Sequence, residues 1–182
     1  MNHLFKTITD LTAWLDTHDF PRETWGRGEA KTLGDLWAEY ESGETAFEDD
    51  PPARRVAVVQ LRLKRGDRVL MELAQEFEDG RRRERYRLPS EKIKPGEDPL
   101  AAARRCLREE LGFESDEGFS LAIVETSESV SDSPSYPGLR TRYHFVTVDG
   151  ATDALPDEDF WHENSAEGDI VRRHLWGWRY PA

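Results

Sequence analysis

Residues Leu88 to Phe113 read LPSEKIKPGEDPLAAARRCLREELGF, the most informative segment of the chain. Pro99 suits the first turn of a helix, where a missing N–H costs nothing, and Gly112 suits its end. Between them Leu100, Ala103, Leu107 and Leu111 form one apolar stripe, which predicts a helix over Pro99–Leu111. Cys106, Glu109 and Glu110 fall three and four residues apart, so they share a face turned away from the leucines. Glu97 stands just before the helix, where Gly96 lets the chain fold back. Adjacent carboxylates with a third nearby repel one another unless a cation sits among them, and oxygen donors of that kind suit Mg²⁺ or Mn²⁺ rather than zinc. The alternative on the residues alone is a solvated face in which Arg104, Arg105 and Arg108 pair with Glu109 and Glu110.

On either side of this segment the pattern changes to a period of two. Val56–Leu63, the turn Lys64–Asp67 and Arg68–Ala74 form a hairpin signal, and Arg81–Leu88 reads as a further strand. Beyond the helix, strands are expected at Ser120–Glu125 and Arg140–Val148, divided by a polar loop over Glu128–Gly138. Asp153–Asn164 reads as acidic and irregular, and Leu175–Tyr180 as a last strand with Trp176 and Trp178 on one face. The first 50 residues are helical by pattern. Leu4, Ile8, Leu11 and Leu15 make one stripe, and a second helix runs from Thr32, as N-cap, to Glu41. Asp49-Asp50-Pro51-Pro52 reads as a linker. The expected architecture is α/β of the α+β kind. It has a helical extension over residues 1–50 and a second domain over residues 53–182, a mixed β-sheet sandwiched by helices.

The chain has 182 residues, with 25 Lys and Arg against 37 Asp and Glu, a formal charge of −12. That balance excludes nucleic-acid polymers and acidic membrane surfaces as partners. No apolar run approaches the roughly 20 residues of a membrane span, and MNHLFKTITDLTAW has no apolar signal core. One cysteine forbids an internal disulfide, which makes a reducing cytoplasm the expected compartment. A phosphate-bearing substrate would need cations to approach such a protein. Arg81, Arg82, Arg83, Arg85 and Arg87 are a local source, with Arg85 and Arg87 as candidate phosphate ligands, or else an edge strand protected by charge. Tyr136, in the loop Ser133–Gly138, is a candidate for stacking on a base or for a structural turn. His144 and His162 have no partner spacing that marks either as a base.

The central stretch resembles the signature of the Nudix hydrolase family: Gly, five residues, Glu, seven residues, Arg-Glu-hydrophobic-any-Glu-Glu-any-Gly-hydrophobic. Glu97, Arg105, Leu107, Glu109, Glu110, Gly112 and Phe113 match it at the correct spacings. Two positions depart: Glu91 stands at the opening Gly, and Cys106 at the Glu that follows the signature Arg. The resemblance implies a Nudix fold and metal-dependent attack of water on a nucleoside diphosphate linked to another group. It implies Glu109 and Glu110 as metal ligands and catalytic residues, Glu97 as an auxiliary ligand, and Arg105 as the group that orients a glutamate. Mg²⁺ or Mn²⁺ would be the cofactor, a small nucleotide the substrate, and a homodimer an expected assembly. Cys106 removes one charge and one oxygen donor, which implies weakened activity, or an inactive domain that binds a nucleotide or a protein partner. A replacement base would come from Glu91, Glu125, Glu128, Asp157, Glu158 or Asp159.

Overall fold

The computed structural model of the chain describes residues 2–114, 118–164 and 170–181. Among these the elements are β1 (Asn2–His3), α1 (Ile8–Thr17), α2 (Leu33–Glu41), β2 (Ala46–Asp49), β3 (Pro52–Arg65), β4 (Arg68–Phe77), β5 (Arg82–Arg87), β6 (Ser90–Lys92), α3 (Pro99–Leu111), β7 (Ala122–Asp132), β8 (Arg140–Ala151), β9 (Phe160–Glu163) and β10 (Val171–Arg179). The protein is a mixed α/β fold, rich in strand with few helices. Its contacts divide into two compact units, and β3, β6, β7 and β8 carry residues of both.

Unit 1 comprises residues 1–58, 92–96 and 127–145. Both of its helices start on capping boxes, Thr7 with Asp10 and Thr32 with Asp35, in which the Thr side chain accepts from the N3 amide and the Asp accepts from the N-cap amide. β1 pairs with β2 and β2 with β3, all antiparallel. The aromatic-rich core joins Phe5, Leu11, Trp14, Leu15, Leu36 and Phe47 to Tyr136 and Leu139. Against expectation, Leu4 lies outside α1 and is 81% exposed, because the helix begins only after the Thr7 cap. The Asp49–Pro52 stretch is the tight turn between β2 and β3 rather than an open linker.

Unit 2 comprises residues 59–91, 97–126 and 146–182. β3 and β4 form the expected hairpin, with Lys64 opposite Val69, and β4 is flanked by β5 and β10, both antiparallel to it. β10 pairs in turn with β9, a strand inside the stretch expected to be irregular. β10 also starts earlier than expected, at Val171, and so brings His174 into the sheet. Trp176 and Trp178 are buried as expected. β7 runs through Asp132, well into the segment read as loop. Every residue of β7 is exposed, so its polar side chains never gave the alternation by which a half-buried strand is recognised.

Candidate functional site

The site is built on α3, and its local sequence explains why the helix lies where it does. Asp98 accepts hydrogen bonds from the Leu100 and Ala101 amides at 2.9 and 3.3 Å, and Pro99 occupies the first turn. Gly112 ends the helix in the left-handed region at φ 72°. A Cβ there would stand 2.5 Å from His162 Cε1, so both conformation and space call for glycine.

Arg105 organises the carboxylates. Its Nε and Nη2 donate to the two oxygens of Glu97 at 3.1 and 3.0 Å, while Nη1 lies 3.4 Å from Glu109 and 3.4 Å from Glu91. Burial works against the guanidinium's charge, but Glu97, Glu91 and Glu109 more than offset it, and its pKa is raised. Three of the residues singled out from the sequence, Glu97, Arg105 and Glu109, therefore meet. Glu91, at the departed glycine position and one of the candidate bases, joins them.

Glu110 lies beside β10, with Oε2 3.7 Å from His174 Nε2. His174 Nδ1 lies 2.6 Å from Glu72 Oε1, and Arg85 Nε donates to the other Glu72 oxygen at 3.2 Å. Neither Glu72 nor His174 was singled out from the sequence. Each belongs to a strand, without a motif around it, and they are 102 residues apart. Arg85, expected at a phosphate, is held by Glu72. The neighbouring arginines of β5 form a ladder with β4, Arg82 to Glu76 at 3.0 Å and Arg83 to Gln75 at 2.5 Å, as a charged edge strand would.

Cys106 is fully buried, as a packed and inert cysteine would be. Its thiol is pushed well above its ordinary value, first by burial and then by Glu110 and Glu91. A neutral, enclosed thiol is neither a nucleophile nor a ligand for a hard ion. Tyr136 is also fully buried, in unit 1, with the Arg54 guanidinium 5.0 Å from its ring centre and Trp25 beside it. Those surroundings are those of a core residue. Among the other candidate bases, Asp157 pairs with Arg65, Asp159 with Arg179, and Glu128 lies near Arg142 and His144.

Among the described residues no group of three or more His, Cys, Asp or Glu side chains is placed to hold a metal ion by itself. The donors present nonetheless fit one class of ion. Mg²⁺ is commonly bound by one or two carboxylates, with substrate phosphates and water completing its shell. Glu109 and Glu110, partly open to solvent, supply donors of that kind, and the buried Cys106 does not.

Comparison with known proteins bears on the whole arrangement. No curated protein sequence matches the chain. Solved structures that resemble it include a NUDIX hydrolase from Nitrosomonas europaea, at 19% identity over 66% of this chain and 71% of that one, with a TM-score of 0.39. Another is the E. coli dihydroneopterin triphosphate pyrophosphohydrolase, at 19% identity over 68% and 80%, with a TM-score of 0.43. A third, an ADP compounds hydrolase, has 18% identity over 73% and 67%, with a TM-score of 0.33. The NUDIX domain family matches residues 51–174, a span that contains α3 and every residue of the Arg105 and His174 clusters. The chain belongs to the NUDIX domain family.

Proposed function

We propose that the protein is a Nudix-type hydrolase that cleaves a nucleoside diphosphate linked to another group, at a rate lowered by Cys106. One observation carries this reading: Arg105 of α3 gathers Glu97, from the turn before the helix, and Glu109 at the signature spacing, with Glu110 next in the chain. Glu109 and Glu110 would hold Mg²⁺ or Mn²⁺, with Glu97 behind them. A divalent ion bound there would neutralise charge on diphosphate oxygens as water attacks phosphorus. Arg105 fixes the direction of Glu97 and Glu109, so their oxygens are pre-set rather than ordered at each turnover. With two carboxylates in place of three, Glu109 and Glu110 would leave most of the ion's coordination to water and diphosphate oxygens. A small nucleotide-type substrate and a cytoplasmic location go with this reading. No described helix is long and apolar enough to cross a membrane.

A second reading is a domain that binds a nucleotide or a protein partner without turnover. It is favoured by the enclosure of Cys106, which leaves the position of the missing glutamate without an oxygen donor.

The two are separated by offering ADP- and UDP-linked sugars with Mg²⁺ or Mn²⁺ to the parent, Glu110→Gln and Cys106→Glu proteins. Turnover in the parent, lost by a hundredfold or more in Glu110→Gln, supports the hydrolase. Nucleotide binding with no turnover in the parent or in either variant supports the binding domain.

A further inference from the structure

His174 stands between carboxylates from two other elements. On one side is Glu72 of β4, 2.6 Å from Nδ1, and on the other is Glu110 of α3, 3.7 Å from Nε2. The pair at the back is deeply enclosed, His174 being 5% and Glu72 6% exposed. Burial alone would raise the Glu72 carboxyl, but the hydrogen bond and charge of His174, with Arg85 behind them, bring it below its ordinary value. An ionised carboxylate only accepts, so Nδ1 carries the hydrogen and donates it. That bond, with Arg85 bracing Glu72 from its other oxygen, fixes the plane of the imidazole and turns its Nε2 edge toward Glu110. His162, on the adjacent strand β9, is opposite His174 in the β9–β10 register, and Cys106 of α3 feels the charge of Glu110.

We infer that His174 is a positioning residue: locked by Glu72, it sets where the Glu110 carboxylate stands, as Arg105 does for Glu97 and Glu109. The inference rests on the reading of Glu110 as a ligand for a divalent ion. A buried hydrogen-bonded pair that served stability alone would end at Glu72 and His174. Here the Nε2 edge of the ring also meets Glu110, the signature carboxylate four residues after the enclosed Cys106. Groups that brace a ligand from behind commonly change metal affinity by about 10–100-fold when removed.

The test uses Mn²⁺ with ADP, the free ion being followed by electron paramagnetic resonance. His174→Asn keeps a nitrogen where Nδ1 meets Glu72 but lacks the atoms that reach Glu110, whereas His174→Gln carries its amide at the Nε2 end. His174→Asn is expected to weaken Mn²⁺ binding about tenfold with little change in the urea midpoint, and His174→Gln to restore most of the loss. Parent-like Mn²⁺ affinity in a folded His174→Asn would overturn the inference and leave the hydrolase reading standing. Failure of the parent to bind Mn²⁺ with ADP would overturn both. Should His174→Asn not fold, the ¹⁵N resonances of His174 in the parent and in Glu110→Gln decide the matter. The Nε2 signal moves if the ring edge faces Glu110, and an unmoved signal would overturn the inference.

Discussion

The guanidinium of Arg105 meets the carboxylate of Glu97 edge to edge, with Nε to Oε1 at 3.1 Å and Nη2 to Oε2 at 3.0 Å. This forked pair ties the turn before α3 to the helix itself, and a lysine cannot reproduce it because an ammonium presents no planar fork. Arg105→Ala is expected to cost about 3 kcal/mol in urea unfolding, since it strands Glu97, Glu91 and Glu109 around an emptied, largely buried position. Arg105→Lys should recover only part of that stability and little of any turnover. A lysine variant as stable and as active as the parent would show that the fork has no special part.

Glu39 gives a pH dependence with a definite sign. Burial pushes its carboxyl up, yet Lys92, Arg54 and Lys31 outweigh burial and bring it down to about 2 from 4.5. The folded pKa lies below the unfolded one, so the stabilisation is complete above about pH 5 and is lost as pH falls toward 2. A difference of that size corresponds to about 3 kcal/mol. Urea unfolding of the parent should weaken by that order across this window, beyond any loss seen in Glu39→Gln. Parallel pH curves for the two proteins would refute the assignment.

Cys106 is expected to resist thiol reagents in the folded protein at pH 8 and to react fully in 8 M urea, because the native thiol is enclosed and neutral. Cys106→Ala should retain turnover within about twofold, the loss being limited to packing. Rapid labelling of the native protein, or loss of turnover in Cys106→Ala, would instead give the sulfur a chemical role.

Residues 1–50, proposed as a helical extension to a domain over residues 53–182, supply Phe5, Leu11, Trp14, Leu15, Leu36 and Phe47 to a core that also holds Tyr136 and Leu139. Deleting them should leave Tyr136 and Leu139 uncovered and the remaining chain insoluble on expression. A soluble, cooperatively unfolding product of residues 51–182 would contradict this.

Much of α3 was legible because its signals are local: Asp98 and Pro99 at one end, Gly112 at the other, and a leucine stripe between them. The hairpin of β3 and β4 was legible for the same reason. What escaped depends on distance along the chain. His174 has meaning only through Glu72 and Glu110, which come from other elements, and nothing in Val171–Arg179 announces them. β7 escaped because it buries no face, and β9 because four residues between acidic neighbours carry too little pattern. Cys106 was legible in its chemistry, an inert and neutral thiol, but not in its surroundings. Helical spacing placed it beside Glu109 and Glu110, yet the side of α3 on which it lies is covered, and spacing cannot report what covers a face.

Arg105, set among Glu91, Glu97 and Glu109, is also a resident counterion. Removing a divalent ion leaves an ordinary acidic cluster to repel itself, but here a permanent positive charge belongs to the same helix as two of the signature glutamates and does not dissociate. Exhaustive chelation should therefore leave the thermal midpoint where it was while depriving the protein of any turnover. The fold of this chain would then survive scarcity of metal, and its chemistry would follow the supply.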